Sequence, residues 1–131
     1  MAERTGSGLI IVDGPPGIGC PVHAAITGTD LALVVTEPSP SGMHDLERAL
    51  DTCAHFDRPA VVVVNKADLA PALTEETADL CRRRGTPLLG RLPFDRRVPG
   101  LLARGLSLIH LDVFKELLVE LWGELRERLN G

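Results

Sequence analysis

Short runs of apolar, mostly β-branched residues each stop at a polar or turn residue, and helical patterns lie between them. Leu9 to Val12 stops at Asp13, Leu31 to Thr36 at Glu37-Pro38, and Ala60 to Val64 at Asn65. A fourth, shorter run, Pro87 to Leu92, stops at Pro93. Apolar runs without alternation mark strands buried on both faces. Strands of that kind joined by helices build a parallel sheet with right-handed crossovers. The expected fold is therefore α/β, a partial doubly wound parallel sheet of about four strands with flanking helices, in one domain over 1–131.

The helical segments carry their own signals. Ser41 is placed to cap a helix running through Phe56, with Met43, Leu46, Ala49, Leu50 and Cys53 at helical spacing. Thr74 is placed to cap a second through Arg84, ended by Gly85. Asp112 is placed to cap the last, where Val113, Phe114, Leu117, Leu118, Leu121, Trp122, Leu125 and Leu129 form a broad apolar stripe. Core packing is the expected use of that stripe; a partner-helix surface is the alternative.

Composition removes several function classes. With 3% aromatic residues, no Tyr and one Trp, the chain lacks the stacking platforms of single-stranded nucleic-acid modules. A formal net charge of −4 gives no electrostatic footprint for DNA. No apolar run reaches the roughly 18 residues that span a membrane. Met1 to Gly8 has no apolar signal region, so the expected location is the cytoplasm. Cys20, Cys53 and Cys81 form no CxxC pair, which excludes a zinc ribbon or an iron–sulfur loop encoded here. Free thiols are expected, with Cys53 on the core face of its helix and Cys20 the one thiol near candidate chemistry. His23, His44, His55 and His110 show no mutual metal spacing. Arg82-Arg83-Arg84 ends a helix, where positive charge suits the dipole.

In a parallel sheet the strand ends share one edge, so the loops after Asp13, Glu37 and Asn65 should converge on one crevice. Asp13 is followed by Gly14-Pro15-Pro16-Gly17-Ile18-Gly19. A carboxylate there suits a metal-bound water, and glycine N–H groups approach a phosphate without Cβ interference. The same residues also suit a plain Pro-Gly turn with a solvated Asp. Asn65-Lys66-Ala67-Asp68 has the form NKxD. An Asn amide there offers a purine edge both donor and acceptor. The Lys stem suits a base plane, and the Asp carboxylate suits two N–H groups of guanine. An ordinary strand-to-loop turn is the alternative.

These segments, together with Arg91-Leu92-Pro93-Phe94-Asp95, resemble the MinD/Mrp/ParA-like P-loop ATPases over about residues 8–110. The branch with an inserted ferredoxin-type iron–sulfur domain is the most similar. The resemblance implies that Asp13 is the Walker B-like acid holding Mg²⁺ through water, and that Gly17 lies in the switch facing the γ-phosphate. It implies that Asn65, with Lys66 and Asp68, reads the base beside Pro93, Phe94 and Asp95. Pro15, Pro16, Gly19, Cys20, Glu37 and Pro38 are expected as neighbours of the site, and Arg96-Arg97 follow the base loop. ATP or ADP with Mg²⁺ is the implied cofactor set, and a 4Fe–4S cluster would belong only to the insert.

The departure from that family is equally informative. Its phosphate cradle is a Gly-rich loop with Lys then Ser/Thr opening a helix. The two lysines here are Lys66 and Lys115, and neither follows such a loop. Walker A and the cysteine-bearing insert are both absent from this sequence. The expectation is a C-terminal half-domain, with Met1 to Ser7 as the tail of a helix of the other half. Such a chain should hydrolyse little or no nucleotide alone. Its expected partners are a nucleotide and either the other half or a second copy. A GTP-binding relative is an alternative because NKxD suits guanine. Against it, Gly17 stands four residues after Asp13, where the common GTPase switch has three. A non-catalytic scaffold on the same fold is the other alternative.

Overall fold

The computed structural model describes residues 2–4, 8–15 and 19–130. The elements run β1 (Ala2–Arg4), β2 (Ile10–Val12), α1 (Cys20–Thr27), β3 (Ala32–Thr36), α2 (Pro40–His55), β4 (Ala60–Val64), α3 (Pro71–Arg84), β5 (Leu88–Arg91), α4 (Val98–Ala103), a 3₁₀ turn (Leu108–His110) and α5 (Asp112–Asn130). The fold is α/β, with a three-stranded parallel sheet of order β3-β4-β5 flanked by helices.

β4 is the centre of the molecule. Val61, Val62, Val63 and Val64 are at most 2% exposed, as a strand covered on both faces requires. Successive side chains alternate between faces. On one face Val62 packs with Leu46 and Leu50 of α2 and with Leu80 and Cys81 of α3. The other face carries Val61 and Val63, while α5 contacts β5 and its Phe114 is buried. Leu33 and Val35 of β3 pair in register with Val61 and Val63 and so share that face. They remain 41% and 58% exposed, so the cover stops short of the edge strand.

Several expectations are corrected. Leu9 to Val12 was expected as a buried parallel strand. Ile10–Val12 is a strand, but it pairs antiparallel with β1 in a separate two-stranded sheet, and all three residues are exposed. Met1 to Ser7 was expected as a helix tail, yet Ala2–Arg4 is extended. Both differences have one physical cause: an apolar strand must satisfy its backbone ladder, and here the adjacent N-terminal segment does so.

Helix starts also shift. Ser39, not Ser41, caps α2, its Oγ accepting from the Gly42 N–H at 2.9 Å, because Pro40 occupies the first turn without needing a donor. α3 begins at Pro71, with Thr74 inside it and the Thr74 hydroxyl donating to the Ala67 carbonyl at 2.7 Å. Gly85 ends α3 in the left-handed conformation, as expected. The α5 stripe is only partly core: Phe114 is buried, whereas Val113, Trp122 and Leu129 are exposed.

Candidate functional site

The loops leaving the three parallel strands meet along one rim. After β3, the chain turns sharply through Glu37-Pro38 into α2. The Thr36 hydroxyl donates to the Gly42 carbonyl at 3.1 Å. A Cβ on Gly42 would lie 2.3 Å from the Glu37 carbonyl, so only glycine permits this turn. After β4, the Asn65 N–H donates to the Thr36 carbonyl at 2.7 Å, carrying the ladder onto the rim. After β5, the Leu92 N–H donates to the Val64 carbonyl and the Ala67 N–H to the Leu92 carbonyl.

Polar side chains then link the loops. Lys66 Nζ lies 3.1 Å from Glu37 Oε1. The Asn65 side-chain oxygen accepts the Lys66 N–H at 3.0 Å, which leaves the amide NH₂ as the donor end of that side chain. Lys66 takes a positive φ of 53°, unusual for a residue with a side chain. Asp68 Oδ1 accepts the Phe94 N–H at 2.7 Å across 26 residues of sequence. Asp95 is held by Arg97 through the backbone N–H, Nε and Nη2. The guanidinium hydrogen bond, then the backbone one, lowers the Asp95 carboxyl from 3.8 to about 2. The Phe94 ring stands 40% exposed beside these groups.

Glu37, Asn65, Lys66, Asp68, Phe94 and Asp95 are thus brought onto linked loops, with Pro38 and Pro93 in the same turns. The first run of candidates is placed otherwise. Asp13 is exposed and follows a strand that belongs to the antiparallel pair. The adjoining Gly14 passes α1, where an added Cβ would sit 3.8 Å from Ala25. α1 in turn meets the end of α2 through His23 and Phe56, edge to face at 5.4 Å. Gly19 caps α1 through its backbone and the exposed Cys20 opens it. Pro15 precedes this turn, while Pro16 and Gly17 lie outside the described residues.

Chemically, the rim offers an apolar ring face, an amide donor and carboxylates paired with protein groups. That set fits the flat face and acceptor nitrogens of a purine. It does not by itself fit a divalent cation, which needs several free oxygen ligands. No group of three or more His, Cys, Asp or Glu side chains clusters for a metal among the described residues. Sequence reasoning missed two contributors. The Asp68–Phe94 link joins segments far apart in sequence and has no local signature. The Gly42 turn was hidden inside a helical pattern.

Comparison with known proteins comes from sequence. Over 127 residues the chain is 30% identical to the uncharacterized protein MJ0578 of Methanocaldococcus jannaschii, covering 96% of this chain and 42% of that protein. It is 26% identical over 118 residues to MJ0579 of the same organism, covering 86% and 39%. It is also 26% identical over 111 residues to the cytosolic Fe-S cluster assembly factor Nubp1 homolog of Drosophila melanogaster, covering 69% and 35%. No family model and no solved structure matches the chain. The chain spans about two fifths of the length of these curated relatives, to which it is related at low identity.

Proposed function

We propose that this chain is the base-binding part of a MinD/Mrp/ParA-like nucleotide-binding domain of ATP type. Iron–sulfur or other metal-centre assembly is its proposed process. The single observation that carries this reading is the convergence of the loops after β3, β4 and β5, joined by the Glu37–Lys66 and Asp68–Phe94 links. In open α/β sheets ligands bind outside the carboxyl ends of the strands. The similarity to an Fe-S cluster assembly factor supports the choice of process.

In this reading Asn65 donates its amide to a purine nitrogen, and Phe94 with Pro93 supplies the apolar wall. Asp13 with Gly17 would face Mg²⁺ and the terminal phosphate only once a phosphate cradle is supplied from outside these 131 residues. Nucleotide and that complementary polypeptide are the proposed partners, and the cytoplasm the proposed location. Where the cradle is missing, positioning of the γ-phosphate is missing too, and phosphoryl transfer depends mainly on positioning and electrostatics. The chain alone is therefore expected to bind ATP weakly and to hydrolyse none above background.

Equilibrium binding tests this. ATP and adenosine should bind alike, because recognition is through the base, and Asn65→Ala should weaken both about tenfold. Inorganic triphosphate should not compete. Competition by triphosphate, or an unchanged affinity in Asn65→Ala, contradicts the reading.

A further inference from the structure

We infer that Asp68 is a positioning residue that clasps the Phe94 loop to the Asn65 loop, and that it does not read the base. The inference rests on the base-binding reading above and assigns Asp68 a different role within it. In an NKxD segment a carboxylate at this position would read guanine by accepting N1–H and N2–H together, which needs both oxygens presented side by side to the ligand. Here Asp68 Oδ1 accepts the Phe94 N–H at 2.7 Å. That bond is short and charge-assisted, and it sets the orientation of the carboxylate.

The other rim carboxylates are engaged as well. Glu37 is paired with Lys66, and both Asp95 oxygens face Arg97. Among the described residues, Glu37, Asp68 and Asp95 thus each have a protein partner, and the partner of Asp68 is the backbone of another loop. What the clasp secures is the ring of Phe94. The ladder bonds from Leu92 to Val64 and from Ala67 to Leu92 bring the two loops alongside each other. They leave the next residues, Pro93 and Phe94, beyond the sheet. Pro93 has no N–H to continue the ladder. The Phe94 N–H is the first donor after it, and Asp68 takes that donor. The loop that carries the half-exposed Phe94 ring is thereby tied to the loop that carries Asn65.

With Asp68 assigned to the loop and not to the base, the ligand class that follows is a purine without a donor at N1, an adenine nucleotide rather than a guanine one.

The test combines amide exchange with nucleoside competition on the full chain. Amide exchange should show the Phe94 N–H protected in the wild type. Asp68→Ala should lower that protection roughly tenfold, the loss expected for one charge-assisted hydrogen bond. Asp68→Asn keeps an acceptor oxygen and should restore most of the protection. Adenosine, guanosine and xanthosine then serve as probes. Asp68→Asn should keep the wild-type preference for adenosine, whereas Asp68→Ala should weaken adenosine. A shift of Asp68→Asn toward xanthosine would show that Asp68 reads the base, and would overturn the inference. So would a freely exchanging Phe94 N–H in the wild type. If no nucleoside binds the wild type, the base-binding reading fails, while the exchange data still decide whether the clasp exists.

Discussion

Lys66 Nζ sits 3.1 Å from a carboxylate oxygen of Glu37, so the loop after β3 touches the loop after β4 through a pair of opposite charges. Both side chains are about half exposed, at 41% and 54%. Water and salt screen such a pair, and its worth is about 0–1 kcal/mol. Glu37→Gln should therefore lower stability by less than about 1 kcal/mol, with the difference shrinking as salt is raised. Urea unfolding of both proteins at low and high ionic strength measures this. A large loss independent of salt would mean that Glu37 has a structural role beyond the pair.

A second expectation concerns pH at the base loop. Arg97 holds the Asp95 carboxyl down to about 2 from an ordinary 3.8. A lowered carboxylate stabilises the fold above its unfolded value and loses that contribution as pH falls through its folded value. The contribution of Asp95 is thus complete above about pH 4 and disappears toward pH 2. Arg97→Ala removes the guanidinium bonds but keeps the backbone N–H, so Asp95 should rise part of the way toward the ordinary carboxylate range. Carboxyl carbon shifts followed through an acid titration give the answer; an Asp95 midpoint that stays near 2 without Arg97 contradicts the assignment.

The thiols should divide two to one. Cys53 and Cys81 are 2% and 1% exposed, and burial raises both above the usual thiol value, disfavouring the reactive thiolate. Cys20 opens α1 and is exposed. One thiol should react promptly with a disulfide reagent under native conditions, and the other two only on unfolding. Mass spectrometry of the modified peptide should find Cys20 first. Prompt labelling of Cys53 or Cys81 would contradict the packing of α2 and α3 on β4.

The open edge of the sheet predicts association. Leu33 and Val35 are exposed on β3, which carries no neighbour on its outer side among the described residues. An apolar edge strand is a template for pairing with another chain. Sedimentation should show self-association that rises with concentration, and Val35→Lys should reduce it. Monomeric behaviour of the wild type across the same range would show that this edge does not recruit a partner.

Some of this architecture was legible in the amino-acid sequence, for physical reasons. Ala60 to Val64 reads as a central strand because burial on both faces leaves no polar position, and the structure buries Val61 to Val64. Glycine after α3 reads as a stop because the left-handed conformation suits it, and Gly85 has φ of 65°. Leu9 to Val12 has the same apolar character as β4 but a different fate. An apolar run states that a strand needs a partner, not which strand supplies it; here Ala2–Arg4 supplies the ladder, and the β2 side chains stay exposed. The α5 stripe shows the same limit, since periodicity alone does not say how much of a helix has something to pack against. Asp68 was harder still. Its spacing in NKxD points to a ligand, and its bond to the Phe94 N–H is one that only the tertiary fold brings about.

The central claim is that the rim after β3, β4 and β5 forms one wall of a purine site. Titrating the isotopically labelled chain with ATP and following its amide resonances tests that claim most directly. The account predicts shifts concentrated at Asn65, Lys66, Phe94 and Asp95, with the buried centre of β4 unmoved. Shifts gathered elsewhere on the molecule, or none at saturating ATP, would contradict it.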